Sequence, residues 1–350
     1  MKRTDLPKFL LAALASLMML TLGACDVHEF PEAGELPDVR LTIEHELSWS
    51  EYNFIYNRTG LLTRDESAQD PSVNARYIIR AFHAGDTKTP VYEFVRNISD
   101  VTLAPFTTTL SLPEGDWDLY IWQDLTSDEA CFYDASSFDA IAYVDPYTGH
   151  NDMRDSFEGR VRVSVSTSYQ AGHHVAATVM MERPMAKYEF IATDFDKFYD
   201  NVVTRSGQAE AAAERKPWTS LSLSEKKEIL EGYSVTAHYP MFMPSVYDIF
   251  QQKVIDSDRG RRYKAHITPI SDTEAVVAFD YAFMNLRNSG IQVMLVLHTP
   301  EGETINMTPT IEVPVRRKQI TYVRGKFLTT GTTGGLDIDF EFSGDINIEI

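Results

Sequence analysis

Cys25 is the residue whose chemistry its neighbours define most sharply. It closes the run Leu22-Gly23-Ala24-Cys25, which has the form of a lipobox. Small residues before the cut let a peptidase cleft accept extended backbone, and a thiol at the next position takes up diacylglycerol as a thioether. Lys2, Arg3 and Lys8 supply the basic start of a signal peptide, and Phe9 to Leu22 is an apolar run of 14 residues. That is short of the roughly 20 needed to span a bilayer. Cleavage is therefore expected between Ala24 and Cys25, removing residues 1–24 and leaving a chain held to a membrane by acyl chains such as palmitate. Of the two cysteines only Cys131 then keeps a thiol, so an intramolecular disulfide and a cysteine metal cage are both excluded.

The remaining constellations are weaker. His173-His174 follows the turn-like Tyr169-Gln-Ala-Gly172, and neighbours on a strand point to opposite faces, so the pair does not converge on a metal. The acidic stretch Asp145-Pro-Tyr-Thr-Gly-His-Asn-Asp-Met-Arg-Asp155 has the oxygens for calcium but not the regular spacing of a calcium loop, and it reads as a solvated loop. Trp117, Tyr120 and Trp122 suggest a carbohydrate platform. Five positions separate the tryptophans, however, which puts one in a core and the other on a surface. No G-x-S-x-G, H-E-x-x-H, Walker or dinucleotide motif is present, and no carboxylate pair stands in a glycosidase context. A non-enzyme without cofactor or metal is the expectation.

Composition sets the frame for these residues. The 350 residues carry a formal charge of −19, and loss of 1–24 removes three cations and one anion. So acidic a chain does not seek nucleic acid or anionic lipid by electrostatics. A hydrophobic content of 43% supplies enough apolar surface for more than one core.

Period-two alternation dominates the chain beyond Cys25. Asp26–Asp38 is polar with two prolines and reads as a tether. Val39, Leu41 and Ile43 then alternate with Arg40, Thr42 and Glu44 in a first strand, Val39–Ser48. Further strands are expected at 76–83, 91–95, 107–112, 116–123 and 160–165. After Arg183-Pro184 they continue at 185–192, 233–239, 262–267, 275–283, 292–298, 308–315, 319–328 and along the alternating tail from Gly335 to Ile350. One helical region is expected at about 208–232, broken by Pro217, with Ser222 or Ser224 as N-cap and Gly232 ending it. The division predicted is a signal peptide (1–24), a lipidated tether (25–38) and two all-β domains (39–183 and 184–350). A weak likeness between Thr107–Asp124 and Thr308–Phe327 hints at a duplicated plan.

Several spaced segments carry a family resemblance. They are Leu112-Pro-Glu-Gly-Asp-Trp-Asp-Leu-Tyr-Ile-Trp-Gln-Asp124, Glu182-Arg-Pro-Met-Ala-Lys-Tyr-Glu-Phe-Ile-Ala-Thr-Asp194, Tyr239-Pro-Met-Phe-Met-Pro-Ser-Val246, Val323-Arg-Gly-Lys-Phe-Leu-Thr-Thr330 and Gly344-Asp-Ile-Asn-Ile-Glu-Ile350. Together they resemble fimbrillin-like lipoproteins of the Bacteroidales, near the minor-fimbrium anchor subunits. The resemblance implies two tandem transthyretin-like β-sandwiches, an outer-membrane lipid anchor exposed at the cell surface, and a part in fimbriae or adhesion. It also implies assembly by strand exchange, in which an arginine-specific protease removes the first strand and a partner's strand replaces it. Arg58 and Arg64 lie in the loop where such a cut would fall. The rival expectation is a monomeric surface lipoprotein that binds a glycan or a host protein.

Overall fold

Alternating β-branched and aromatic residues make strands of most of the described residues. The computed structural model describes residues 38–46, 73–99, 104–127, 131–166, 174–205, 217–286, 289–329 and 346–349. In chain order its strands begin with β1 (Asp38–His45), β2 (Asn74–His83), β3 (Tyr92–Ile98), β4 (Phe106–Ser111) and β5 (Gly115–Thr126). Next come β6 (Tyr133–Asp134), β7 (Ile141–Tyr143), β8 (Ser156–Val165), β9 (His174–Met181) and β10 (Met185–Ala192). Helices α1 (Phe195–Arg205) and α2 (Leu223–Leu230) precede β11 (Ser234–His238), β12 (Phe242–Asp248), β13 (Lys253–Arg259), β14 (Arg262–His266) and β15 (Thr268–Pro269). The last are β16 (Ala275–Phe283), β17 (Ser289–His298), β18 (Thr304–Met307), β19 (Ile311–Val315), β20 (Ile320–Gly325) and β21 (Ile346–Glu349).

The strands form all-β sandwiches on a repeated plan. In the first, β1 lies between antiparallel β4 and parallel β9, and the facing sheet runs β3-β2-β5-β8. In the second, β10 lies between antiparallel β16 and parallel β20, and the facing sheet contains β14-β11-β17 with β19 paired to β17. Seven strands therefore correspond in position: β1 with β10, β2 with β11, β3 with β14, β4 with β16, β5 with β17, β8 with β19 and β9 with β20. The duplicated plan is present, but in another register than the expected one. Thr107–Asp124 spans β4–β5, whose counterpart is β16–β17, whereas Thr308–Phe327 covers β19–β20.

A fifth sheet joins the two. It runs β13-β12-β7-β6, with Val246 opposite Ala142 and Tyr247 opposite Ile141. Each sandwich contributes one excursion to it, β6–β7 from between β5 and β8, and β12–β13 from between β11 and β14. Both tryptophans are buried, Trp117 at 1% exposure and Trp122 at 0%, and this sheet explains the second. They do lie on opposite faces of β5. Trp117 faces the interior of the first sandwich, while Trp122 faces outward into Tyr133 of β6 and Phe283 of β16. The expected surface tryptophan is thus a second core residue.

The helical segment begins earlier than expected. Phe195, Phe198 and Tyr199 sit at i, i+3 and i+4 of α1, and Phe195 and Tyr199 pack against Trp218 of a short 3-10 turn. Aromatic residues at those positions suit a strand as well as a helix, which hid the start. Helix α2 has the expected Ser222 cap, with Glu225 reaching back in a capping box, and Gly232 follows at φ +85°. No helix among the described residues is long and apolar enough to cross a membrane.

Strands β8 and β9 approach closely at Gly159. A Cβ there would stand 2.5 Å from Met181 Sδ and 2.8 Å from Val179 Cγ2. Gly159→Ala should cost about 1–3 kcal/mol of stability through overpacking, measured as a lowered urea midpoint with unchanged slope.

Candidate functional site

The first strand is central by composition. Val39, Leu41 and Ile43 are fully buried, and β1 bonds to a neighbour on each side, so its removal would open an apolar slot across the three-stranded sheet. Among the described residues the outer edges of that sheet, β4 and β9, pair with no further strand in it. In the second sandwich the corresponding positions are taken by β15 beside β16 and by β21 parallel to β20. Strand β21 falls within the expected C-terminal strand and is the last strand of the second sandwich's sheet. The other residues singled out in the sequence, Ala24, Cys25, Arg58 and Arg64, lie outside the described residues.

A second feature is the joint between the sandwiches, built from charges that alternation alone did not flag. Only Glu182, Arg183 and Pro184 separate β9 from β10. Arg183 donates from Nε and Nη2 to the two oxygens of Asp155 at 2.8 Å each, and both residues are 1% exposed. Lys187 of β10 meets Asp152 at 3.0 Å, where the Tyr281 hydroxyl also donates at 2.8 Å. Arg317, in the turn between β19 and β20, pairs with Glu158 of β8, and the Tyr247 hydroxyl donates to the same carboxylate at 2.8 Å. Lys318, held at φ +65°, contacts Glu46 at the end of β1 and Glu182, at 2.7 and 2.8 Å. The close of the first strand is thereby tied to the second sandwich.

The deepest part of the joint surrounds Asp280 of β16. Its carboxylate faces Arg154 Nε at 3.2 Å and accepts from the Tyr147 and Tyr239 hydroxyls at 2.5 and 2.6 Å. Tyr188 and Tyr263 extend the hydroxyl chain. The Arg154 guanidinium also lies over the rings of Tyr143 and Tyr147, 4.5 and 4.3 Å from their centroids. Burial pushes the Asp280 carboxyl upward, against the pull of Arg154 and the two tyrosines. Burial likewise pushes the hydroxyls of Tyr147, Tyr188, Tyr239 and Tyr263 upward.

This joint corrects the expectation of a solvated acidic loop. Asp145 is exposed and pairs with Arg261, but Asp152, Met153, Arg154 and Asp155 are buried against β10 and β16. Gly149 lies against the ring of Tyr263, where a Cβ would come within 2.5 Å. The oxygens that suggested calcium are engaged by Lys187 and Arg183, and among the described residues no cluster of side chains is arranged to hold a metal. One signal was available: Lys187 and Glu189 alternate with Ala186, Tyr188 and Phe190 in a strand that carries no exposed residue. Charges on a strand covered on both faces need partners from elsewhere. His174 lies exposed on β9, and His173 is outside the described residues.

Comparisons with known proteins place the chain further. The model of a family of unknown function, DUF6562, matches residues 35–350. No curated protein matches the chain. Among solved structures, a fimbrial assembly protein from Parabacteroides distasonis is 11% identical, with 85% of this chain and 92% of that one covered and a TM-score of 0.38. The tip fimbrial protein Mfa3 from Porphyromonas gingivalis is 11% identical over 79% of this chain and 81% of that one, with a TM-score of 0.37. The fimbrial anchor protein Mfa2 from the same organism is 10% identical over 77% and 81%, with a TM-score of 0.33.

Proposed function

The chain belongs to the DUF6562 family, and we propose that this member is a non-enzymatic, lipid-anchored surface protein of fimbrillin type that holds or caps a fimbrial polymer or presents an adhesive face. In this reading Cys25 carries the lipid in the outer membrane, residues 25–38 are the tether, and 39–183 and 184–350 act as two bodies in series. Fimbrial subunits add by strand pairing along the first sandwich.

The observation that carries the reading is the joint. Two domains that move independently are normally joined by an exposed polar linker. Here three residues connect β9 to β10, an antiparallel sheet with strands from both sandwiches bridges them, and buried ion pairs close the gap. Such a body passes force from one end to the other without a compliant step, which suits a load-bearing surface component. Chemistry on a substrate would instead call for a polar cleft, and the buried charges found here are already paired with one another.

The test is to isolate the protein from the native cell surface. Unboiled and boiled samples are compared by electrophoresis, and the N-terminus is identified by mass spectrometry. A heat-sensitive ladder or co-purifying subunits, with a lipopeptide at Cys25, is the expected result for an anchor. Cleavage after Arg58 or Arg64 would reassign it as a polymerising subunit. A lone lipidated monomer would overturn the fimbrial reading.

A further inference from the structure

The outer face of the β3-β2-β5-β8 sheet divides into a covered part and an open part. Tyr133 covers Trp122, and Phe250 packs edge-on to Tyr120 and Phe82. Beyond that cover, toward the other end of β5 and β8, a groove of about 270 Å³ is lined by Asp118, Leu119, Tyr120, Arg160, Val161 and Arg162. The β5–β8 register sets Asp118 opposite Arg162 and Tyr120 opposite Arg160.

The two arginines differ. Arg162 donates through Nε and Nη2 to both oxygens of Asp118, at 2.6 and 2.7 Å, and the Gly85 amide also donates to Asp118 at 2.9 Å. This fork fixes the pair across the sheet. Arg160 is exposed and makes no hydrogen bond or ion pair among the described residues, sharing only the field of Asp118. The Tyr120 ring is held by Phe82 and Phe250, and its hydroxyl donates to and accepts from no described group. One unpaired guanidinium, one unpaired phenol and one fixed ion pair therefore meet in this open groove.

We propose that this groove binds a carboxylate-bearing sugar, with Arg160 pairing the carboxylate, Tyr120 hydrogen-bonding a ring substituent and the Asp118–Arg162 pair holding hydroxyls. A guanidinium is matched to carboxylate in charge and planar shape, and a fixed ion pair offers a sugar both donors and acceptors. The chain's charge of −19 opposes a polyanion at longer range, so the fitting ligand is a terminal sugar with a single charge. The site stands independently of the fimbrial reading, since neither β1 nor the tether contributes to it.

The test titrates the purified full chain with N-acetylneuraminic acid and with glucuronic acid, following heat or amide chemical shifts. Galactose and acetate are the controls, separating the sugar from the charge. Saturable binding by at least one of the acids, and by neither control, is expected, with dissociation constants on the order of 1 mM as befits a single ring. Arg160→Gln should weaken it about tenfold or more, and Tyr120→Phe roughly threefold, with melting temperatures unchanged. Equal response to acetate, equal binding by Arg160→Gln, or no saturation by either acid below roughly 50 mM would overturn the site.

Discussion

Raising the pH just past 10 unfolds this protein across a narrow window, and tyrosinate absorbance at 295 nm appears together with loss of the far-ultraviolet signal. The cause is the number of phenols the fold keeps neutral. Burial pushes the hydroxyls of Tyr77, Tyr133, Tyr143, Tyr147, Tyr188, Tyr239, Tyr247 and Tyr263 above their ordinary value of 10. Below pH 10 these groups are protonated in both states, and the folded state keeps its full advantage. Above pH 10 the unfolded chain releases protons that the folded chain retains, so stability falls as pH rises. Each such tyrosine contributes about 1.4 kcal/mol per pH unit, and eight together about 11 kcal/mol per unit. An ordinary stability of about 5–15 kcal/mol is exhausted within roughly one unit. A native protein in which clearly more than nine of the 17 tyrosines titrate while the far-ultraviolet signal persists would contradict this burial pattern, since only nine lie outside the eight.

How far the sequence reveals such a structure depends on the range of the interaction that decides each element. Strand β1 was legible because alternation of Val39, Leu41 and Ile43 with Arg40, Thr42 and Glu44 is a local consequence of one buried face. Strand β10 was legible as a strand, but its fully covered character depends on β16 and β20, which come 83 and more residues later and are invisible to a short window. The short strands β6 and β7 carry too few residues to show a period, and they exist because β12 lies beside β7 and β7 beside β6. Missing them had a cost at Trp122, since the excursion that holds β6 and β7, together with Phe283 of β16, turns an outward tryptophan into a core residue. The same failure misread the acidic loop. Asp152 and Asp155 look solvated until Lys187 and Arg183 are known to face them, and that pairing is a tertiary fact. Of the proposed strand-exchange site, β1 lies among the described residues and Arg58 and Arg64 do not.

Replacing Asp280 by alanine should be the most damaging single change at the joint, about 3–5 kcal/mol. Arg154 would remain buried with its Nε no longer facing a carboxylate, and the Tyr147 and Tyr239 hydroxyls would each lose their acceptor. Arg154 and Tyr239 are fully buried, at 1% and 0% exposure, and Gly149 of the same loop as Arg154 lies against Tyr263. Asp280→Asn should cost less, because an amide oxygen still accepts from the tyrosines while the charge on Arg154 goes unanswered. The double replacement Arg154→Met with Asp280→Leu should recover most of the loss, since a dry pair of matched volume carries no desolvation penalty. Urea titrations of the three variants separate the contributions, and limited proteolysis within 145–155 reports whether the loop has lifted. A double variant as unstable as Asp280→Ala would mean that the lost hydrogen bonds of the Tyr147 and Tyr239 hydroxyls and the Thr148 carbonyl, rather than the uncompensated guanidinium, dominate the cost. In that case the joint is held by its hydrogen-bond chain, and the arginine serves mainly as a plate on which Tyr143 and Tyr147 stack.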